Sequence, residues 1–219
     1  MASAIIYCPS GGGKTVNSVR VTAPNKGKNL LICTDNSSVV LKNFDCKNIE
    51  VQNIREISDM RVDDKTLLEK AIESGKYDNI IMDNISDYFD MCITEMQLSG
   101  KFKDMRQAYQ LVYQQLKMMA RKSSLHDCNI IFTAWADNME VVLANGEKGY
   151  RISPKMPQKI LDNMCGLVNM VAYINTVEKD GKKIWYYVLD GTPLLYAKDQ
   201  LYCRKTCMPE DIFSGKVEK

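Results

Sequence analysis

The amino-acid sequence predicts an α/β protein built on a doubly wound, mainly parallel sheet, with β-hairpins added towards the C-terminus. Three observations lead there. Five short, nearly continuous apolar runs are spaced along the chain, stretches of helical periodicity lie between them, and a glycine-rich turn ending in Lys-Thr directly follows the first run. Unbroken apolar strands suit the centre of a parallel sheet covered on both faces. Strand, helix, strand in repetition is the pattern of doubly wound folds.

Taken in order, the first strand is SAIIYC (3–8), followed by the turn and a helix over 14–22. NLLICTD (29–35) is the second strand, and a helix is expected over 63–74. NIIMDN (79–84) is the third, with helices over 85–97 and 104–125 after it. NIIFTAWAD (129–137) and LVNMVAYI (167–174) complete the set. Hairpins are expected over 139–153 and 172–189, where Asn145-Gly146 and Asp180-Gly181 mark the turns. Pro154 and Pro157 end the first hairpin, a short helix follows over 158–165, and PLLYAKDQL (193–201) is a last strand. The expected organisation is one nucleotide-binding domain over 1–205 and a loose charged tail over 206–219, with no internal repeat or dividing linker.

Composition excludes several classes. With 29 basic and 27 acidic residues the formal charge is +2, so any nucleic-acid surface has to be local. Eight cysteines occur without a C-x-x-C pair and read as reduced thiols; Cys203, Cys207 and the lone His126 make a poor zinc set. The N-terminus lacks a basic secretory region, and no run approaches the ~18 apolar residues of a membrane span. A cytoplasmic protein without a membrane partner is expected. Tyr109, Tyr113, Leu116 and Met119 recur at helical spacing and read as a core or subunit-facing stripe.

The chemistry-bearing motif is CPSGGGKT (8–15), which matches a phosphate loop except that Cys8 stands where the first glycine belongs. A phosphate loop needs backbone N–H groups gathered at a helix start, and Ser10, Gly11, Gly12, Gly13, Lys14 and Thr15 form the expected cradle. Lys14 is expected to bridge the β- and γ-phosphates and Thr15 to ligate Mg²⁺. Pro9 favours an extended Cys8, so the loop is expected to survive the cysteine. Asp83, ending an apolar strand, is the expected carboxylate for Mg²⁺. Two segments mix cations with an aromatic, as sequence-tolerant single-strand binding requires. One holds Lys101, Phe102, Lys103 and Arg106; the other holds Lys148, Tyr150, Arg151 and Lys155.

The succession CPSGGGKT, ICTD, NIIMDN, NIIFTAWAD, SPKMPQKILDNMCGLVNMVAYI and LLYAKDQ resembles the phage-encoded RecA-like P-loop ATPases of the Sak type, associated with single-strand annealing and recombination. The resemblance implies a RecA-like core, ATP with Mg²⁺, self-association into a ring or filament, and single-stranded DNA as partner. A single-strand-binding protein is a further candidate partner that no residue specifies. The resemblance also places Asp35 where the water-polarising acid sits, usually a glutamate. It places Trp135 at a γ-phosphate-sensing position usually held by His or Gln. Lys198 falls where relatives extend a lysine towards a neighbouring subunit, with Gln200 where an arginine often stands.

Two other readings remain open. A small-molecule P-loop kinase fits the size, although an arginine-rich lid is not evident. A non-hydrolysing, nucleotide-dependent scaffold fits Cys8 and Trp135.

Overall fold

In the computed structural model, residues 2–21, 27–43, 48–62, 65–123 and 127–215 are described. The strands are β1 (Ser3–Cys8), β2 (Asn29–Cys33), β3 (Ile49–Asn53), β4 (Arg61–Val62), β5 (Lys65–Thr66), β6 (Asn79–Asp83), β7 (Asn129–Val142), β8 (Lys148–Pro154), β9 (Met170–Lys179), β10 (Lys182–Val188), β11 (Lys198–Asp199) and β12 (Thr206–Cys207). The helices are α1 (Lys14–Arg20), α2 (Leu67–Glu73), α3 (Ile85–Leu98), α4 (Met105–Ser123) and α5 (Gln158–Leu167). The expected helix ends at 22, 63 and 125, and also His126, Cys46 and 216–219, lie outside the described residues.

β1 runs through the middle of the large sheet, whose order is β12-β10-β9-β1-β7-β6-β2-β3. The stretch from β9 to β3 is parallel throughout. β10 and β12 extend it antiparallel, β8 folds back on β7, and β11 pairs with β9. Successive residues of a strand face opposite sides, so the apolar runs feed two cores. Ile5, Tyr7, Leu30, Ile32, Ile80, Met82, Ile130 and Phe132 pack beneath α2 to α5. Ala4, Ile6, Cys8, Leu31, Ile81 and Ile131 face the other way, with Val19 of α1 and the C-terminal residues Cys207 and Ile212.

Register is marked at the lower edge by three asparagines that each begin a strand. Asn79 Nδ2 donates to Asn29 Oδ1 (2.7 Å), Asn129 Nδ2 donates to Asn79 Oδ1 (3.0 Å), and Ala2 N–H donates to Asn129 Oδ1 (3.1 Å). A slip of one residue would reverse every core side chain and break this buried ladder.

Both hairpins form. Asp180 and Gly181 have φ of 52° and 69°, the positive pair that a two-residue turn with matching twist demands. The first hairpin is a longer turn: Gly146 N–H bonds to Leu143 O (2.9 Å) and Leu143 N–H to Glu147 O (2.8 Å), with Gly146 at φ 84°. β7 does not break after residue 137 but runs unbroken into this hairpin, beyond the edge of the sheet.

The tail boundary at 206 is corrected. Residues 206–215 pack on the sheet: β12 pairs with β10, and Cys207 and Ile212 are buried. Arg204 fastens the segment, its buried guanidinium donating to Asp199 Oδ2 (2.8 Å), Asp211 O (2.9 Å) and Ile212 O (2.7 Å). The last strand contracts to β11, with Leu195 bridging to Ile152.

Candidate nucleotide site

The site lies at the upper ends of the parallel strands, where β1 gives way to the glycine turn and α1. Cys8 is the last residue of β1, extended and paired with Trp135 of β7, and it is buried. The chain then turns, Gly12 N–H donating to Pro9 O (3.1 Å). Gly11 at φ 74° and Gly13 at φ 89° adopt the left-handed geometry that glycine alone takes without strain. Gly13 caps α1 and Lys14 opens it. Ser10 and Gly11 are exposed beside this turn. One expectation is corrected: the Gly12 N–H, read as facing the ligand, closes the turn instead.

Lys14 is buried, and its ammonium donates to the carbonyls of Pro9 (3.3 Å) and Cys8 (3.5 Å), folded over its own loop. Thr15 Oγ1 donates to Asp83 Oδ2 (2.6 Å), joining the start of α1 to the end of β6. Asp83 is fully buried and takes two more hydroxyls, from Ser37 (2.7 Å) and Thr133. Burial pushes its carboxyl above the usual range, outweighing the downward pull of the Ser37, Thr133 and Thr15 hydroxyls, and the nearby Asp35 charge pushes the same way. Asp35 stands just past β2, with Oδ1 accepting from Ser37 N–H (3.1 Å) and Oδ2 from Asn84 Nδ2. The same Asn84 caps α3 through Asp87 N–H (2.7 Å). Ligand atoms of Cys33, Asp35 and Asp83 lie within 4.8 Å of one another.

A buried ammonium whose described partners are neutral carbonyls, and a hydroxyl-carboxylate pair at a helix start, fit a nucleotide phosphate chain with Mg²⁺. Lys14 would meet the phosphates; Thr15 and Asp83 would hold the ion, Thr15 directly.

Trp135 joins this group from the side. Its backbone N–H donates to Ser86 Oγ (3.1 Å), while Ser86 Oγ–H donates to Lys155 O (2.8 Å). Lys155 N–H donates to Trp135 O (2.7 Å), and its ammonium lies 5.0 Å from the Trp135 ring centroid. Lys155 is thereby the one residue of its segment tied directly to Trp135 among the described contacts. Farther along the hairpin, Lys148 pairs with Glu140 (2.7 Å), Tyr150 is 66% exposed, and Arg151 Nε donates to Pro193 O (3.0 Å). Lys101 and Lys103 are exposed between α3 and α4, and Arg106 in the first turn of α4 pairs with Asp104 (3.0 Å).

Lys198 is not brought to the loop. It pairs with Val171 of β9, which lies level with Ile5, and its ammonium donates to Gly166 O (3.5 Å). Three residues of strand separate Ile5 from Cys8, about 10 Å. Burial lowers the Lys198 pKa. The expectation for Lys198 is a neighbouring subunit, not the loop of its own chain; Gln200 beside it is exposed. Sequence reasoning missed Ser37 and Thr133, hydroxyls that reach Asp83 only through sheet register and a turn; no motif marks them. It also missed Trp185, taken up below.

A parallel sheet with a phosphate loop at the end of its central strand, and a carboxylate on a strand not adjacent to it, defines a RecA-like P-loop core. The chain belongs to the AAA_24 family of AAA domains, whose model matches residues 1–201. Among solved structures it is similar to a KaiC-like protein of the hyperthermophilic archaeon Pyrococcus horikoshii, at a TM-score of 0.50 and 9% identity, over 85% of this chain and 77% of that one. It is also similar to the flagellar accessory protein FlaH of Methanocaldococcus jannaschii, at a TM-score of 0.48 and 12% identity, over 94% and 83% of the two chains. No curated protein matches the chain. Among the described residues no helix is long and apolar enough to cross a membrane.

Proposed function

We propose that the protein binds ATP with Mg²⁺, hydrolyses it slowly, and uses it to act on single-stranded DNA in phage recombination or annealing. The observation that carries the nucleotide half is the hydrogen bond between Thr15 and Asp83 beside the buried Lys14. In this reading Lys14 neutralises phosphate charge, Thr15 and Asp83 hold the metal ion, and Asp35 orients water. The carboxylate of Asp35 is already held at both oxygens, by Asn84 and by Ser37 N–H. Such fixed geometry supports a slow basal rate that rises when an assembly or DNA shifts those partners.

The DNA half is supported by the β7–β8 hairpin, which carries Lys148, Tyr150 and Arg151 and is followed directly by Lys155. Basic groups neutralise phosphates and an exposed tyrosine offers a stacking face. Self-association would let Lys198 work on a neighbour's site. The test is phosphate release with and without single-stranded DNA, beside a Lys14→Ala control. DNA-stimulated release that Lys14→Ala abolishes is expected. Equal release by both proteins would overturn the ATPase reading, and nucleotide binding without release would leave the scaffold, which the tethered Asp35 and the tryptophan at 135 favour over a kinase.

A further inference from the structure

Among the described residues, the indole Nε1 of Trp185 is the one buried side-chain nitrogen or oxygen without a hydrogen-bond partner. A buried, unpaired donor is costly, and such groups in a native fold call for a partner. Its position says which. Nε1 lies 3.2 Å, and the ring carbon Cδ1 3.8 Å, from the point a β-carbon on Gly13 would occupy. The unpaired N–H is therefore lodged against the residue that caps α1 in the phosphate loop.

The rest of β10 sets the direction. Residues 183, 185 and 187 share one face of the strand. Tyr187 Oη donates to Asn17 O (3.1 Å), alongside the second turn of α1. Two residues back, Trp185 meets Gly13; two residues further back stands the exposed Lys183. Its ammonium lies 5.6 Å from the Trp185 ring centroid. Lys183 also sits near enough to Cys8 to pull against the upward push that burial gives the Cys8 thiol. Asp83 stands on β6, two strands from β1 on one side, and Trp185 stands on β10, two strands from β1 on the other. The metal-holding pair and the indole thus flank the loop from opposite sides.

We infer that Trp185 is a nucleotide-contacting residue, its indole N–H reserved for a phosphate oxygen at the nucleoside end of a bound nucleoside di- or triphosphate, with Lys183 adding charge there. This rests on the nucleotide-binding reading above and extends it to a strand that the phosphate-loop motif does not include. An oxygen accepting from Nε1 removes the unpaired donor, so binding and packing favour the same arrangement.

The experiment compares Trp185→Phe, which keeps the ring and loses the N–H, with the unsubstituted protein. Calorimetric titration with Mg²⁺-ATP and with ADP is expected to show affinity for both falling about tenfold or more, while the nucleotide-free melting temperature holds or rises. Lys183→Gln is expected to weaken both nucleotides and to flatten the salt dependence. The protein has two tryptophans, so a nitrogen–proton correlation spectrum has two indole resonances, and the one lost in Trp185→Phe is that of Trp185. It is expected to move on ADP addition. Should Trp185→Phe fail to fold, Trp135→Phe makes the same assignment. Unchanged affinity in Trp185→Phe, or an unmoved resonance at saturating ADP, overturns the inference and leaves the nucleotide site standing. No binding by the unsubstituted protein overturns both.

Discussion

The Cys8 thiol occupies the space a side chain at Gly12 would need: a β-carbon there would lie 2.5 Å from Cys8 Sγ and 3.2 Å from Cys8 Cβ. The cysteine that replaces the usual glycine has moved the steric demand four residues along. Gly12→Ala is expected to abolish nucleotide binding, and Cys8→Gly alone to retain it. The double variant Cys8→Gly/Gly12→Ala is expected to recover part of the loss, since Pro9 O at 3.0 Å still crowds the position. Residues in direct contact couple by ~0.5–3 kcal/mol, so a thermodynamic cycle on ATP affinity measures the relationship.

Asp83 makes stability depend on pH. Its pKa is raised, chiefly by burial, so between the ordinary carboxylate range and the raised value the folded protein holds a proton the unfolded chain has released. Stability is then full below the ordinary value of about 3.9 and falls as pH rises through the raised one. Asp83→Asn is expected to melt higher than the unsubstituted protein at neutral pH without nucleotide, by a few degrees (~1 kcal/mol), with the gap closing in acid. The same variant is expected to lose the extra stability that Mg²⁺-ATP confers. Thermal melts across pH, with and without Mg²⁺-ATP, check both halves.

Lys155 links the hairpin to the site through Trp135 and Ser86. Lys155→Gln is expected to weaken single-stranded DNA binding and lower the slope of log affinity against log salt by about 0.7, the value for one phosphate contact on a single strand. If Lys155 also carries the signal, ATP turnover without DNA stays near the unsubstituted rate while its stimulation by DNA falls. Binding isotherms at several salt concentrations and phosphate-release assays measure the two effects separately.

Arg204 and Asp199 form a fully buried ion pair, with side chains 1% and 0% exposed. Removing one member strands the other charge, so Arg204→Ala is expected to cost about 3–5 kcal/mol in denaturant unfolding. Ending the chain at residue 205 is expected to lower stability sharply, by uncovering Tyr187 and the β10 edge, whereas loss of a loose tail would leave it unchanged.

The parts of the fold legible in the sequence were those buried on both faces. SAIIYC, NLLIC, NIIMD and NIIFT need no context, because a central parallel strand requires a continuous apolar run. β3, IEVQN, escaped because it is an edge strand exposed at Glu50, Val51 and Asn53, and its residues look like a polar loop. The C-terminal segment escaped because its anchors, Cys207 and Ile212, are isolated apolar residues whose docking depends on a buried charge pair. In the site, Lys14, Thr15 and Asp83 were legible from local motifs. Thr133 was not, since its neighbour Asp83 comes from the register of β6 against β7, which places Met82 opposite Phe132. Trp185 was read only as part of a hairpin, for the same reason.

Arg20 of α1 is held by Glu210, Nε to Oε1 at 2.7 Å, so this helix is latched by a segment 190 residues further along the chain. The phosphate loop is synthesised before the residues that shape it: Asp83, then Thr133 and Trp135, then Trp185 and later Glu210. β1 itself has no sheet partner until β7 is made. The nascent chain therefore carries its nucleotide-binding letters long before it can bind a nucleotide, since the strands and side chains that complete the site are spread over about the next two hundred residues.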